Sequence, residues 1–544
     1  MNQLMKKYKF LIGLAILAGF TLTSCDDFLE ENPENKKTSA SFWETANDAQ
    51  TAVDGLYFGG VPYLHNSNFG TGWSPKVTMV GGLTSGLFVD KRKDRTITNA
   101  IEACTFNTQN FDDVAYKIWH ECYKGISRAN FVIANVPNMT SVLDEATIKR
   151  YLGEAKFFRA YNYATLVVNF GDVPYVDKPY TNTDGMFVER LASTTVYDNV
   201  QNELLEVIEG NYLPDKAFYE NGSRVTKGMA QTLLAQVYLQ RAGFPVNGGK
   251  EYYEKAAKMA EQVITSGKHV LEQANGSSDD LKSAFNVVKT SKTTKEVIYA
   301  KEYNYSSYNS GSSYYNLSMP NSAAQWADAK GNTIFHPSGD VLYTPYMPCE
   351  MLINSYAPED IRGHEKQFFF NEYTDATGVK HTLDQTGTWY WFDEAPLMEG
   401  HSSDLNINNW RYSEVLLIAA EGYARAGVEG TARGYLNQVR KRAGLGDETA
   451  TGDALIQSIL TERLHEFPVE FKIWDDIRRT RLYPQPSTAG KLNWVALSSA
   501  TIYNKPDGQT KVGAIPEFAL LWSIPLDEMQ RNPALANSQN PGWK

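Results

Sequence analysis

Apolar residues recur at intervals of three and four in two separated blocks of this chain, and that period commits both blocks to amphipathic helices. In the first block, residues 112–136 place Trp119, Tyr123, Ile126 and Ala129 on one stripe, and Pro137 follows as a stop. The next helix begins at Asp144, a residue type whose carboxylate satisfies first-turn amides. It repeats Ile148, Leu152, Ala155, Phe158 and Tyr161. Residues 169–174, NFGDVP, end it: glycine permits the exit and proline bars continuation. Further helices are expected at about 195–210, 225–242 and 251–266 and, after a long interruption, at about 411–427 and 431–443.

These helices share a texture. Residues 226–243 carry Leu233, Leu234, Tyr238, Ala242 and Gly243, and residues 413–427 carry Leu416, Leu417, Tyr423, Ala426 and Gly427. An alanine-rich helix follows each, at 253–264 and 432–439. Small residues at a crossing, with an aromatic beside them, let helix pairs pack closely. The pattern resembles tetratricopeptide hairpins, although no clean repeat period survives, and an ordinary α-bundle is the plain alternative. The stretches at about 57–110 and 270–410 differ, being rich in Gly, Ser, Asn and Tyr with only short strand-like runs such as 296–303. Segments 311–315 (GSSYY) and 387–391 (GTWYW) read as aromatic-bearing loops, the kind of element that carries binding on a rigid frame. The proline-punctuated tail, about 485–544, is expected to wrap the body.

The amino terminus reads as an address. Lys6, Lys7 and Lys9 precede a low-polarity run from Phe10 to Phe20, and Leu22, Thr23 and Ser24 lead into Cys25. That order is a secretory signal, and its apolar run is shorter than the roughly 20 residues a membrane-spanning helix needs. The spacing resembles a bacterial lipobox, with residues 1–24 removed and Cys25 acylated, so that several chains on one residue give stable anchoring. Asp26, Asp27, Glu30 and Glu31 resemble the surface-export signal of Bacteroidetes lipoproteins, and residues 25–41 form a tether ahead of a body at 42–544. Loss of residues 1–24 takes 52 basic residues to 49 against 63 acidic ones, a formal charge of −14. Such a balance excludes a nucleic-acid partner, whose binding rests on basic contacts to phosphate. Of the remaining cysteines, Cys104, Cys122 and Cys349 allow at most one internal disulfide and are read as buried small hydrophobes.

No catalytic or metal constellation emerges. His120-Glu121 and His465-Glu466 begin like a zinc-protease motif, but neither has a second histidine four residues after the first. There is no GxSxG elbow and no phosphate-binding glycine loop. Glu462 with Glu466, or Asp475 with Asp476, could in principle form a glycosidase pair. Arg463, Arg478, Arg479 and Arg481 nearby favour salt-linked surface or structural pairs on a polar helix.

Five segments in order resemble the SusD/RagB family. They are 119–130 (WHECYKGISRAN); 154–161 (EAKFFRAY) with 170–174 (FGDVP); and 410–421 (WRYSEVLLIAAE). The fourth joins 436–444 (LNQVRKRAG) to Glu462-Arg463 and 474–479 (WDDIRR), and the fifth is 524–528 (IPLDE) with 540–543 (NPGW). One departure lies at 470–473 (EFKI), where the family usually has Gly and Arg. The resemblance implies a mainly α SusD-like fold, with four tetratricopeptide-like helix pairs (here about 112–266 and 411–480) and an irregular, loop-rich ligand-binding region. It implies an outer-membrane, cell-surface lipoprotein without cofactor. Such a protein captures oligo- or polysaccharide for a SusC-like TonB-dependent transporter and performs no catalysis.

In relatives the sugar platform comes from an early loop and from loops after the mid-chain strand. The candidates here are Trp73, Tyr303, Tyr314, Trp326, Tyr343, Trp389 and Trp391, with Asn66, Asp90 and Arg92 as polar partners. The abundance of aromatics, 11 Trp and 32 Tyr, suits sugar contact and a large helical core alike. A peptide-binding RagB-like protein, a surface glycoside hydrolase and a pure protein-binding scaffold are the alternatives.

Overall fold

The computed structural model describes residues 42–65, 80–90, 96–180, 182, 185–273, 283–308, 310–336, 346–487, 491–503, 510–512 and 515–543. Cys25, Asn66, Trp73, Arg92 and Tyr343 lie outside the described residues. Among the described residues, no helix is long and apolar enough to cross a membrane.

Helix α1 (Ala46–Asp54) opens on a Thr45 capping box. Helix α2 (Thr108–Asn135) starts four residues before the position suggested by its apolar stripe. The reason is Asn107, whose side-chain oxygen accepts from the Gln109 and Asn110 amides at 2.9 and 3.1 Å, while Asn110 returns a bond to the Asn107 amide. In α3 (Glu145–Phe170) the Asp144 carboxylate accepts from the Thr147 amide at 2.7 Å, as its sequence position suggests. Gly171 closes α3 at φ +71°, a left-handed conformation that favours glycine. Helices α4 (Ser193–Glu209), α5 (Lys227–Ala242) and α6 (Lys250–Thr265) follow, each packed on its predecessor.

Residues 266–411 then leave the helical stack and return to it. The departing strand β1 (Val297–Lys301) pairs antiparallel with the returning strand β4 (Ile407–Arg411), and between them β2 (Phe370–Thr374) and β3 (Lys380–Gly387) form a hairpin. Helix α7 (Tyr412–Ala426) packs directly on α6, as if the excursion were absent. Their approach is close: a Cβ on Gly422 would lie 2.5 Å from the Tyr253 carbonyl oxygen, so only glycine fits there. Helices α8 (Glu429–Arg442), α9 (Gly452–Glu466) and α10 (Ile473–Thr480) complete the body, and the tail wraps it. Asn540 donates to the carbonyls of Phe170 (3.0 Å) and Trp522 (2.6 Å), fixing the tail to the end of α3.

Two hydrophobic cores result. The main one runs through the helices, and a satellite core (Tyr315, Met319, Phe335, Phe370, Tyr373, Phe392) lies inside the excursion. The three described cysteines are unpaired and buried, and burial pushes the Cys104 and Cys349 thiols up to about 12 and about 11.

The polar helix pair α9–α10 is where the fold departs furthest from a surface reading. Glu462, Arg463, Glu466, Asp476, Arg478 and Arg479 are all buried. Arg411 donates from Nη1 to Glu296 (2.8 Å) and Glu466 (2.7 Å) and from Nε to Glu470 (2.8 Å). Arg442 bridges the same Glu296 (3.1 Å) and also binds Glu466. Arg362, from the excursion, holds Asp360 (2.8 Å), Glu462 (2.7 Å) and Glu466 (3.2 Å). A second knot joins Arg479 to Glu421 at 2.5 and 2.7 Å. Burial works against the charges on Glu466 and Glu421, but the surrounding arginines overcome it and hold both carboxyls at about 2.

Removing Arg411 strips buried Glu470 of its arginine and leaves Glu296 with Arg442 alone, and Glu466 with Arg442 and Arg362. Arg411→Met is therefore expected to destabilise the fold by about 3–5 kcal/mol in urea titrations. Depressed carboxyl pKa values contribute stability that is present above the unfolded value, about 4.3, and is lost as pH falls toward 2. The thermal midpoint should accordingly fall between about pH 5 and pH 3, and Glu421→Gln should lower the midpoint at pH 6 while shrinking that acid drop.

Candidate functional site

The loop aromatics divide by burial. Tyr303, Tyr314 and Trp391 are 3%, 2% and 3% exposed, which leaves no ring face for a ligand. The Tyr303 hydroxyl donates to the His65 carbonyl at 3.4 Å, and its amide donates to Asn406 at 2.9 Å. Trp391 packs against Tyr314 (5.2 Å between centroids), Tyr346 (5.8 Å) and Phe471 (5.8 Å), filling the seam between the excursion and the body. Asp90 is likewise buried, its amide bonded to Glu102.

Trp389 is half-buried and heavily tied. Its indole N–H donates to Asn286 Oδ1 at 2.7 Å, and its ring stacks on Phe392 at 4.9 Å. Lys289 Nζ lies 4.4 Å from the ring centre and donates to the Trp389 carbonyl at 2.7 Å. Burial pulls the Lys289 ammonium down to about 7. These ties make Trp389 a fastening between the residue 284–290 helix and the satellite lobe.

Trp326 is the half-exposed ring of the set that is held mainly by stacking. It follows the turn Asn321–Gln325, and its carbonyl accepts from the Ile334 amide at 3.0 Å. His381 on β3 stacks parallel to it (4.7 Å, 16°), with Tyr373 on β2 in the same orientation at 6.2 Å. His381 is held in turn by Asp375 at 2.9 Å, and hydrogen bonds from His381 and Thr377 keep the Asp375 carboxyl well below the usual range. The outcome is a backed indole on a lobe with its own core.

A second stack went unnoticed in the sequence. Tyr305 and His401, both half-exposed, lie parallel at 5.1 Å and 10°, and Tyr308 beside them is 80% exposed. Asp404 pins this turn by accepting from the Tyr305 amide and from the Ser306 hydroxyl at 2.8 Å. The run 303–308, YNYSSY, was the available signal, since it carries tyrosine past the strand end into a polar turn.

The carboxylates once weighed as an acid/base pair are committed elsewhere. Glu462 and Glu466 share Arg362, Asp476 is held by Arg463 (2.8 Å) and Arg479 (3.0 Å), and Asp475 by Arg478 (2.5 Å). They are structural ion pairs, most of them internal rather than at the surface.

Comparison with known proteins places this architecture. Two family profiles match, "SusD family" over residues 364–543 and "Starch-binding associating with outer membrane" over residues 27–239. A SusD-like protein of Formosa agariphila is 28% identical over 508 residues, spanning 88% of this chain and 91% of its own. A crystal structure of a SusD superfamily protein from Parabacteroides distasonis superimposes with a TM-score of 0.77 at 25% identity, covering 93% of this chain and all of that one. A surface glycan-binding protein A from Bacteroides thetaiotaomicron, solved in complex with laminarihexaose, gives 0.67 at 21% identity, over 91% and 99% of the two chains. Fold and matches together define a SusD-type architecture, a helical frame interrupted by an aromatic-bearing lobe. The chain belongs to the SusD/RagB family.

The two half-exposed tryptophans should separate in denaturation. Trp389→Ala loses a buried hydrogen bond, a ring stack and an ammonium contact and should cost about 3 kcal/mol. Trp326→Ala should cost about half that, as measured by urea unfolding of each variant.

Proposed function

We propose that this protein is a lipid-anchored capture protein on the outer face of the outer membrane. It holds oligo- or polysaccharide and passes it to a SusC-like TonB-dependent transporter, with no covalent chemistry of its own. The observation that carries this reading is Trp326, a flat, half-exposed indole held from behind by His381 and set on a lobe with its own packing. A ring in that setting covers the apolar face of a sugar without first having to be ordered, which lowers the cost of binding.

Tyr305 with His401, and Trp73 and Tyr343, are further candidate contacts; Tyr303, Tyr314, Trp389 and Trp391 support them as packing. The family description "Starch-binding associating with outer membrane" and the laminarihexaose complex of a structural relative both favour glycan as the cargo. Acylation at Cys25, with the acidic residues after it, accounts for an anchor in a chain whose described helices do not span a membrane. The arginine-bound state of Glu462, Glu466 and Asp476 favours binding without hydrolysis.

The test uses the mature chain with Cys25 removed, run in native gels containing starch, laminarin or other polysaccharides, in parallel with calorimetry against peptides. Saturable retardation by at least one polysaccharide is expected, with no release of reducing ends. Trp326→Ala should weaken it about tenfold, the loss of one aromatic face. Release of reducing ends, or binding to peptides alone, overturns the reading.

A further inference from the structure

A cavity of about 210 Å³ opens inside the helical body, between α3, α5, α7 and α10, and none of the loop aromatics discussed above lines it. We propose that it is a second binding site, for one neutral, hydroxyl-rich solute of monosaccharide size. This inference stands apart from the glycan reading of the excursion, because apart from Trp410 on the returning strand its walls come from the body and the tail.

Size sets the first limit. At about 210 Å³ the cavity falls below the roughly 300–1,000 Å³ of pockets that hold drug-sized ligands. One sugar ring fits this space, and a chain of rings does not. The walls set the second limit. Tyr161, Trp410, Phe471, Trp474 and Trp522 supply aromatic surface, and Gln236 and Gln240 add amides, Gln236 giving one N–H to Glu414 at 2.7 Å and keeping its carbonyl for a ligand.

Charge sets the third. Glu414, Glu470, Asp475 and Asp476 face Arg463, Lys472 and Arg478, and they neutralise one another in pairs: Lys472 with Glu414 at 3.0 Å, Arg463 with Asp476 at 2.8 Å, Arg478 with Asp475 at 2.5 Å. Glu470 is taken by Arg411. An ion of either sign would therefore meet its like charge, whereas a hydroxyl, donor and acceptor at once, suits every wall.

Unspent hydrogen-bonding capacity points the same way. Trp474, Trp522 and Arg463 all line this cavity and are only 3–4% exposed, and both indole N–H groups and Nη1 of Arg463 have no hydrogen-bond partner among the described residues. Buried donors of this kind are rare, and each calls for an acceptor. Access is available at the rim, where Asp475 is 38% exposed and Lys472 15%.

The test follows the indole N–H signals of the ¹⁵N-labelled mature chain lacking only its anchor, with Trp474→Phe and Trp522→Phe identifying the two cavity resonances. Titration with D-glucose or D-galactose should shift both saturably, while D-glucuronate and D-glucosamine should not. Gln236→Leu should weaken the effect about tenfold, the worth of one hydrogen bond in a charge-assisted set. Cavity signals that stay fixed under neutral sugars, or that move equally with charged ones, overturn the proposal and leave a water-filled cavity. Movement of the Trp326 signal alone would likewise sink it while sparing the reading of the loop lobe. The converse, cavity shifts without polysaccharide retention, would sink that reading and spare this one. Should a tryptophan variant not fold, crystals soaked in D-glucose decide the matter: density for one ring beneath Trp474 supports the site, and water alone removes it.

Discussion

Arg411 and Arg442 share Glu296 and Glu466 in a region closed to solvent, and the course of the chain on both sides follows from that requirement. A buried charge is tolerated only when its partners are complete, so the residues that supply them must arrive together. Glu296 immediately precedes β1 on the outgoing limb of the excursion, and Arg411 ends β4 on the returning limb. Asp360 and Arg362 reach in from its middle to Glu462 and Glu466. The excursion is thus fastened at its two ends and its centre to α8 and α9, and the satellite lobe bearing Trp326 inherits a fixed base.

Much of the frame was legible because helices announce themselves locally. The stripes at 112–136 and 144–170, the Asp144 cap and the NFGDVP exit depend on near neighbours, and the structure reproduces them to within a few residues. The early start of α2 was missed because the Asn107–Asn110 box lies outside the apolar stripe. The buried knots were not legible as buried: an Arg and a Glu look alike in sequence whether water or each other surrounds them. Their partners lie far apart along the chain, as with Arg411 and Glu296.

The same limit governs the aromatics. Tyr314, Trp391 and Trp326 sit in loops of one composition, yet two of them fill a seam and one does not. The difference is made at long range: Phe471 follows α9 and closes over Trp391, whereas the rings against Trp326 (His381, Tyr373 and Phe335) all belong to its own lobe. The stretch 470–473, which departs from the family pattern, supplies both that Phe471 and the Lys472 that pairs with Glu414. A local oddity in the sequence thus marks a junction between lobe, body and cavity.

The close seating of α6 on α7 has a consequence for how such proteins diversify. Residues 266–411 depart and rejoin at adjacent points, and between those points the frame holds the insert along the seam that Tyr314, Tyr346 and Trp391 fill against Phe471 and through the charges it sends inward. Closing a chain of that span rather than one a tenth as long costs only about 2 kcal/mol, since the penalty grows with the logarithm of length. The insert is therefore cheap to close in chain entropy, yet part of it shares the core of the frame. Changes in its length fall most easily within the β2–β3 lobe, which packs on its own core, and least easily along the seam it shares with the body.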